Sequence, residues 1–342
     1  MSVCFDNIYG NDLLKSYFSE AIDRRAMPHA LILEGQEGSG RYTFALNIAM
    51  AMCCTSAESP CGVCNSCRKL KENISPDLIT VEPDEGKASI SVDAVRQIKN
   101  GALKVPVEND CKFYIIKNSE KMTVQAQNAL LKVLEEPPSF VVFILITESA
   151  SRLLTTIVSR APVFRMQRFT NEELYDILLT RYPDAKRYNE RDPEGFSYIV
   201  RAANGSVGKV LSNTDKRSAD NTVKRFERID RLFEALTGND KYAFISLEDS
   251  VNSKKREEMT QLVSDVRLAL RDLLCMKKTM GTELLFWSNT EKALSYSSQL
   301  TLEAIADMIS YCDGTLRNNE SNANLNLLKI NFMSELWKKA HS

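Results

Sequence analysis

The sequence predicts an α/β domain built on a parallel β-sheet, followed by two helical domains. Three observations carry this prediction. Short runs of Val, Ile, Leu and Phe alternate with amphipathic helical segments between residues 30 and 166, a glycine-rich loop follows the first run, and the β pattern stops after Met166. Strands that are apolar throughout are typical of parallel sheets with helices on both faces.

The alternation assigns each element in turn, because apolar spacing and turn residues mark where strands and helices begin and end. A first helix precedes the sheet, with apolar residues at three- and four-residue steps between residues 13 and 22. Strands are predicted at 30–33, 78–81, 113–116, 140–147 and 163–166. Helices are predicted at 43–54, 92–103, 124–134 and 151–158.

Residues 1–166 therefore form the predicted α/β core, with a cysteine-rich insertion at 54–67. A small helical lid is predicted at 167–212, opened by a capping box from Thr170 to Glu173, with a left-handed helix stop at Asn204-Gly205. Residues 213–342 are predicted to be helical throughout, with almost no glycine or proline. This third domain fits an oligomerisation surface or a self-contained helical bundle.

Composition indicates a cytoplasmic globular protein. The 342 residues contain 44 basic and 45 acidic side chains, so the net charge gives no overall attraction for nucleic acid. A local basic patch remains compatible with this composition. The N-terminus lacks a signal pattern, and the longest apolar run, 140–146, is far shorter than the ~20 residues that span a bilayer. Nine cysteines in a reducing compartment argue against a disulfide framework and favour a metal site.

The glycine-rich loop contains Gly35, Gly38 and Gly40 and lies between a predicted strand and a predicted helix, which is the context of a phosphate-binding P-loop. The motif has a lysine that reaches the phosphates where this chain has Arg41. It has a small hydroxyl that binds Mg²⁺ where this chain has Tyr42. The loop thus has the shape of a nucleotide site without its chemistry, although an ordinary tight turn is also compatible with it.

A cluster of cysteines predicts a zinc site in the insertion. Cys61, Cys64 and Cys67 follow one another at three-residue steps, and either Cys53 or Cys54 supplies a fourth thiolate. Four thiolates suit tetrahedral zinc and leave no open position for water, so the metal would be structural. Reduced thiols and an iron site are the alternatives. The remaining cysteines are predicted to be core residues: Cys4, Cys111, Cys275 and Cys312.

Two further segments carry a family resemblance. Residues 126–138 read Ala-Gln-Asn-Ala-Leu-Leu-Lys-Val-Leu-Glu-Glu-Pro-Pro, and residues 153–160 read Leu-Leu-Thr-Thr-Ile-Val-Ser-Arg. With the four-cysteine insertion, they resemble bacterial clamp-loader subunits of the AAA+ class. The resemblance covers about the first 210 residues. It implies an AAA+ core, a helical lid and a helical collar domain that oligomerises.

The resemblance implies a second defect in the nucleotide site. The two acidic residues that end the third strand of the family fall on Lys117 and Asn118. Lys117 reverses the charge where a carboxylate should hold Mg²⁺, and Asn118 cannot polarise the attacking water. Glu120 is expected to be a solvated loop residue and not a substitute acid. The resemblance therefore implies a non-hydrolysing subunit that binds no ATP productively.

The resemblance also assigns the zinc ligands. The first ligand of the family falls on Cys54, and the others fall on Cys61, Cys64 and Cys67. The loop between the first two ligands is shorter than the family often has, so Cys53 remains the alternative first ligand.

Ser159 and Arg160 occupy the Ser-Arg-Cys motif of the family, with Ala161 in place of the cysteine. In the family this arginine reaches into the ATP site of the neighbouring subunit and stabilises charge on the transferred phosphoryl group. The resemblance thus implies an arginine finger acting in trans. Taken alone, Arg160 would be read as a solvated arginine at a helix end.

The resemblance implies a ring with gamma or tau and delta subunits that opens the sliding clamp and loads it on primed DNA. One alternative is an ATP-hydrolysing motor subunit like gamma or tau, which would need an acid at the position of Lys117. Another is a zinc-knuckle DNA-binding module. Arg68, Lys69 and Lys71 favour it, but the acidic residues that follow them argue against it.

Overall fold

The structure is a computed structural model that describes residues 2–6, 8–83, 89–214, 216–238, 241–246, 256–278, 284–287, 290–320 and 324–341. The chain divides into two compact units. One unit comprises Met1–Ile177 with Gly205–Lys209, and the other comprises Leu178–Asn204 with Val210–Ser342. Residues of the predicted lid are distributed over both units, and the boundaries of three separate domains stay a prediction.

The first unit contains the predicted parallel sheet. Its five strands lie in the order β4-β5-β6-β2-β7, and every neighbouring pair is parallel. A separate two-stranded sheet pairs β1 with β3 and was not predicted. The strands are β1 Ser2–Val3, β2 Ala30–Glu34, β3 Glu58–Ser59, β4 Leu78–Val81, β5 Lys112–Ile116, β6 Val141–Thr147 and β7 Val163–Arg165.

Helices alternate with the strands of this unit, as the sequence predicts, and the last helix follows the final strand and extends beyond Ile177. They are α1 Asp12–Asp23, α2 Arg41–Cys53, α3 Asn65–Lys71, α4 Val92–Ala102, α5 Val124–Glu135, α6 Thr155–Val158 and α7 Asn171–Arg181. Helix α3 lies in the cysteine insertion and was not predicted, because its seven residues are too few for a periodic signal. The single helix predicted at 151–158 is instead a 3₁₀ turn, Ala150–Arg152, and α6, separated by extended backbone at Leu153 and Leu154.

Alternate strand residues enter two apolar cores on opposite faces of the sheet. Leu33 and Ile144 pack with Phe44 of α2 on one face. Ile32 and Phe143 belong to the core on the other face, with side chains of α4 and α5. Because a strand alternates the direction of its side chains, apolar residues at every position require helices on both sides. The predicted doubly wound α/β architecture is confirmed.

The start of α7 and the turn before Ser206 confirm two local predictions. The Thr170 backbone N–H donates to Glu173 Oε2 at 2.8 Å, and the Glu173 N–H donates to Thr170 Oγ1 at 3.2 Å, which is the reciprocal capping box. Asn204 and Gly205 both have positive φ, 48° and 82°. A side chain at Gly205 would begin 2.7 Å from the Phe169 carbonyl oxygen, so the stop requires glycine.

The second unit is helical, as predicted for the C-terminal part. Its core contains Phe233, Leu270, Trp287 and Phe332. The buried carboxylate of Asp272 accepts from the backbone N–H groups of the segment 285–287 at 2.7 to 3.2 Å. The remaining described helices are α8 Pro183–Arg191, α9 Pro193–Ala202, α10 Val207–Asn213, α11 Lys216–Thr237, α12 Lys241–Ser246, α13 Arg256–Lys278, α14 Thr290–Gln299, α15 Leu302–Glu320 and α16 Leu325–Ala340, and the first three residues of α10 belong to the first unit. None of the described helices has the length and apolar character needed to cross a membrane.

Asp77 fixes the loop that precedes β5. Its fully buried carboxylate accepts from the backbone N–H groups of Val107, Glu108 and Asn109 at 2.7, 2.8 and 2.9 Å. Burial alone raises the pKa of this carboxyl, but the hydrogen bonds outweigh burial and hold the pKa below its usual value. The ionised form is therefore the one that stabilises the fold.

We expect Asp77→Asn to destabilise the chain by about 3 kcal/mol, because an amide brings a donor toward three backbone donors. A lowered pKa means that the stabilisation is present above the unfolded-state pKa of ~3.9 and is lost as pH falls through the folded-state pKa. Urea unfolding from pH 3 to 7 measures both effects, with the exposed Asp110→Asn as the matched control. Equal unfolding free energies for the two variants at pH 7 would refute this role.

Candidate functional site

The glycine-rich loop lies at the carboxyl edge of the sheet, where parallel strands place their ligand sites. β2 is a central strand, flanked by β6 and β7, and the loop leads from it directly into α2. Gly38 and Gly40 have φ of 74° and 84°, a conformation that favours glycine. The strand, loop and helix of a P-loop are therefore present, as the sequence predicts.

Arg41, the first residue of α2, is buried beside the loop. Its side chain is 7% exposed, and its Nη1 atom has no hydrogen-bond partner among the described residues. Burial lowers the pKa of this guanidinium, and Glu148, Glu120 and Glu37 oppose the effect. Glu120 was expected to be solvated, but its Oε2 atom is buried without a hydrogen-bond partner in the described structure. Glu120 is half-buried in the 3₁₀ turn Ser119–Lys121, so the prediction that it is an ordinary solvated loop residue is wrong.

Residues from the two predicted defects of the nucleotide site, Tyr42 and Lys117, contact each other. Lys117 follows β5, and its ammonium lies 4.2 Å from the centre of the Tyr42 ring, a cation–π contact. The same ammonium lies 3.4 Å from Glu82 Oε2. Asn118 has a left-handed backbone and begins the 3₁₀ turn Ser119–Lys121. The two positions that the family resemblance assigns to Mg²⁺ binding are thus a ring and a cation that contact one another.

A short segment within the same unit covers the loop. The Gly208 backbone N–H donates to the Gly38 carbonyl oxygen at 3.1 Å, and Ser206 Oγ donates to the Glu37 carbonyl oxygen at 2.9 Å. A Cβ atom on Gly38 would lie 2.3 Å from Ser206 Oγ. Sequence reasoning missed this contact, because residues 205–209 lie far along the chain from the loop.

A cavity of about 470 Å³ remains beside the loop. Its lining mixes charges of both signs, and the ion pair between Arg165 Nε and Glu34 Oε2, 2.9 Å apart, forms part of it. Lys209 also lines the cavity. The cavity is therefore polar and partly neutralised by its own side chains.

The structure brings four cysteines together in the insertion. The Sγ atoms of Cys54, Cys61, Cys64 and Cys67 all lie within 4.8 Å of one another, whereas Cys53 is outside this group. Cys54 and Cys67 are buried in the core that packs against α2. The geometry therefore fits one metal ion with four thiolate ligands and favours Cys54 over Cys53 as the first ligand.

Backbone amides support the sulfur atoms. The N–H groups of Cys61, Cys64 and Cys67 donate to the sulfurs of Cys54, Cys61 and Cys64 at 3.4, 3.3 and 3.5 Å. Hydrogen bonds, first that from the Ser56 side chain, lower the pKa of Cys61 to about 6. Thiolates held by such donors are the form that binds metal.

The scattered cysteines differ from one another in burial. Cys312 is buried, as predicted, and Cys111 and Cys275 are half-buried. Cys4 is exposed, and the prediction that it is a core residue is wrong. It follows strand β1, where the alternating backbone buries Val3 and Phe5 and directs Cys4 outward.

Ser159 and Arg160 follow α6 on the exposed surface of the first unit. Arg160 Nη2 donates to Glu135 Oε1 at 2.6 Å, and Nη1 donates to the Thr156 carbonyl oxygen at 3.0 Å and to Ser159 Oγ at 3.3 Å. Ala161 is fully buried and anchors the backbone behind the arginine. None of the contacts described for Arg160 involves the glycine-rich loop of its own chain. Sequence reasoning missed the role of Glu135 as its partner.

Comparisons with known proteins show which proteins the chain resembles. Residues 10–170 match the protein family described as DNA polymerase III, delta subunit. The chain is 26% identical to the DNA polymerase III subunit delta' of Bacillus subtilis over 84% of each chain. These similarities support a clamp-loader subunit of DNA polymerase III.

Other clamp-loader subunits are about equally similar to it. The chain is 27% identical to the gamma/tau subunit of Mycoplasma genitalium over 72% of this chain, which spans 43% of that relative. A solved gamma subunit-related protein from Thermotoga maritima is 20% identical, with a TM-score of 0.47 over 96% of this chain and 99% of that one. The sequence similarity to delta' and to gamma/tau subunits is about equal, so it does not distinguish the type of subunit.

Proposed function

We propose that the chain is the delta-prime type of clamp-loader subunit, a ring member that does not hydrolyse ATP itself. The observation that carries this proposal is the contact between Lys117 and Tyr42. A magnesium-dependent phosphoryl transfer needs a carboxylate and a hydroxyl at these two positions, and a lysine ammonium repels the cation that the reaction requires. The buried Arg41 guanidinium adds a second fixed positive charge beside the loop.

The closed loop supports the same proposal. Ser206 and Gly208 donate hydrogen bonds to the carbonyl oxygens of Glu37 and Gly38, so a second segment of the chain holds the loop in one arrangement without a nucleotide. With no ligand to favour one arrangement over another, the subunit acts as a fixed reference in the ring. Zinc held by Cys54, Cys61, Cys64 and Cys67 is structural, because all four positions are filled by protein.

In the proposed assembly the chain takes part in ATP hydrolysis through Ser159 and Arg160. Arg160 is exposed, carries its charge on the surface and contacts no part of its own loop in the described structure. It would therefore serve the ATP site of a neighbouring gamma or tau subunit. The other proposed partners are the delta subunit, the sliding clamp and primed DNA. The proposed location of the assembly is the cytoplasm. The lid at 167–212 and the collar at 213–342 complete the proposed three domains.

An ATP-binding measurement on the isolated chain tests the proposal. We expect no saturable binding of Mg²⁺-ATP in calorimetry up to ~1 mM, a limit that corresponds to about −4 kcal/mol. A gamma/tau subunit titrated in parallel is the positive control. The cavity lined by Lys209 is the feature that would favour the alternative, a motor-type subunit. Binding followed by turnover would replace our proposal with that alternative.

A further inference from the structure

The partner of Arg160 at the end of α5 has a role that the proposed function does not assign. Glu135 is the last residue of α5, and its Oε1 atom lies 2.6 Å from Arg160 Nη2. Both side chains are about half exposed, so the pair lies at the surface of the unit. A surface ion pair of this kind contributes little to the stability of a fold, which leaves its geometric effect as the feature to explain.

Three acceptors fix the orientation of the guanidinium. The described hydrogen bonds use Nη1, toward Thr156 and Ser159, and Nη2, toward Glu135, and none of them uses Nε–H. Because the guanidinium is a rigid planar fork, holding two of its nitrogens sets the direction of the third. The Nε–H, which no described hydrogen bond uses, shares one edge of the guanidinium with Nη2, and such an edge can donate two parallel bonds to a phosphate.

Glu135 differs from the other two acceptors. Thr156 and Ser159 lie within four residues of Arg160, so they cannot hold the arginine against any other element. Glu135 comes from α5, 25 positions earlier in the chain, and its carboxylate is the one charged acceptor among the three. An arginine without it would spread over several rotamers and lose more conformational entropy on meeting a phosphate.

We infer that Glu135 is a positioning residue for Arg160 and aims its guanidinium at the nucleotide of the neighbouring subunit. The inference rests on the proposed function of Arg160. It also distinguishes two adjacent acids, because Glu136 is exposed and no contact with Arg160 is described for it. Removing either acid changes the charge by the same amount, and only one of them removes the contact.

A double-mutant cycle in the reconstituted assembly tests the inference. We expect Glu135→Ala to lower kcat for clamp- and DNA-stimulated ATP hydrolysis by about threefold or more, which is within the range of direct coupling energies. KM for ATP should stay unchanged, because the nucleotide is bound by the neighbouring subunit. Glu136→Ala should have the same kcat as the wild type. Glu135→Gln keeps an oxygen acceptor, so it should lower kcat less than Glu135→Ala does. In chains that carry Arg160→Ala, Glu135→Ala should have no further effect.

The outcomes separate the inference from the proposed function. If Arg160→Ala leaves the rate unchanged, the finger itself is refuted. If Arg160→Ala slows hydrolysis while Glu135→Ala behaves like Glu136→Ala, or speeds the reaction, only the positioning role is overturned. An equal effect of Glu135→Ala with and without Arg160 overturns it too. Thermal melts of each isolated chain check folding, and if Glu135→Ala melts early the cycle is run with Glu135→Gln.

Discussion

Arg160→Ala is expected to slow ATP hydrolysis by the assembled clamp loader about tenfold or more, a barrier increase of roughly 1.4 kcal/mol or more. The reason is that a guanidinium supplied in trans stabilises charge on the transferred phosphoryl group, an effect typically worth ~10³ to 10⁵ in rate. Arg160→Ala removes the arginine from one ATP site only, and the other ATP sites of the proposed ring continue to hydrolyse ATP. The expected loss in the total rate is therefore smaller than the effect at a single site. Steady-state hydrolysis with clamp and primed DNA measures it.

Two further variants make this test specific. Arg96 is an exposed arginine of α4 that pairs with Asp93 at 2.9 Å, and Arg96→Ala should leave the rate unchanged. Arg160→Lys keeps the charge but loses the planar fork, so it should restore only part of the activity. Full activity of Arg160→Ala in an intact assembly would refute the arginine finger. Equal losses for Arg96→Ala and Arg160→Ala would instead indicate a general defect in assembly.

Loss of the metal is expected to have the largest effect on stability. The purified chain should contain about one zinc ion, and Cys64→Ser and Cys67→Ser should contain none. Cys54 and Cys67 are buried in the same apolar core as α2, so the insertion and the first unit should lose stability together. We expect chelation to cost about 3 kcal/mol or more, which is ~10 °C for a unit of this size.

The neighbouring cysteine provides the matched control for metal binding. Cys53→Ser should keep its zinc, because Cys53 lies outside the group of four sulfurs, whereas Cys54→Ser should lose it. Metal analysis of both variants, with calorimetric melts before and after chelator, decides between them. The reverse result would make Cys53 the ligand. Iron in place of zinc would keep the four ligands and change the metal.

The strands were the part of the fold that the sequence determined best. Apolar runs such as 78–81 end at turn residues, and strand β4 has the same bounds in the structure. The helix that follows the glycine-rich loop begins two residues earlier than predicted, since Arg41 and Tyr42 already have helical backbone. Such boundaries depend on capping, which hydrophobic periodicity does not report.

The cysteine spacing and the glycine-rich loop were likewise readable from the sequence, because both are local. The knuckle spacing of Cys61, Cys64 and Cys67 places three sulfurs in one short loop. Spacing alone could not choose between Cys53 and Cys54, since adjacent residues at the end of α2 point in different directions. In the structure α2 ends at Cys53 and the backbone is extended at Cys54. The Cys54 sulfur therefore lies with the other three sulfurs, and the Cys53 sulfur does not.

What only the tertiary structure decided are the contacts between distant segments. The sequence shows that Tyr42 and Lys117 depart from the residues expected in a nucleotide site. Their contact, however, depends on β2 and β5 ending at the same edge of the sheet. The pairing of Glu135 with Arg160 likewise depends on where α5 and α6 end in space. Local patterns encode the elements and the residue types, whereas side-chain partners across the sheet are set by the order in which the strands pair.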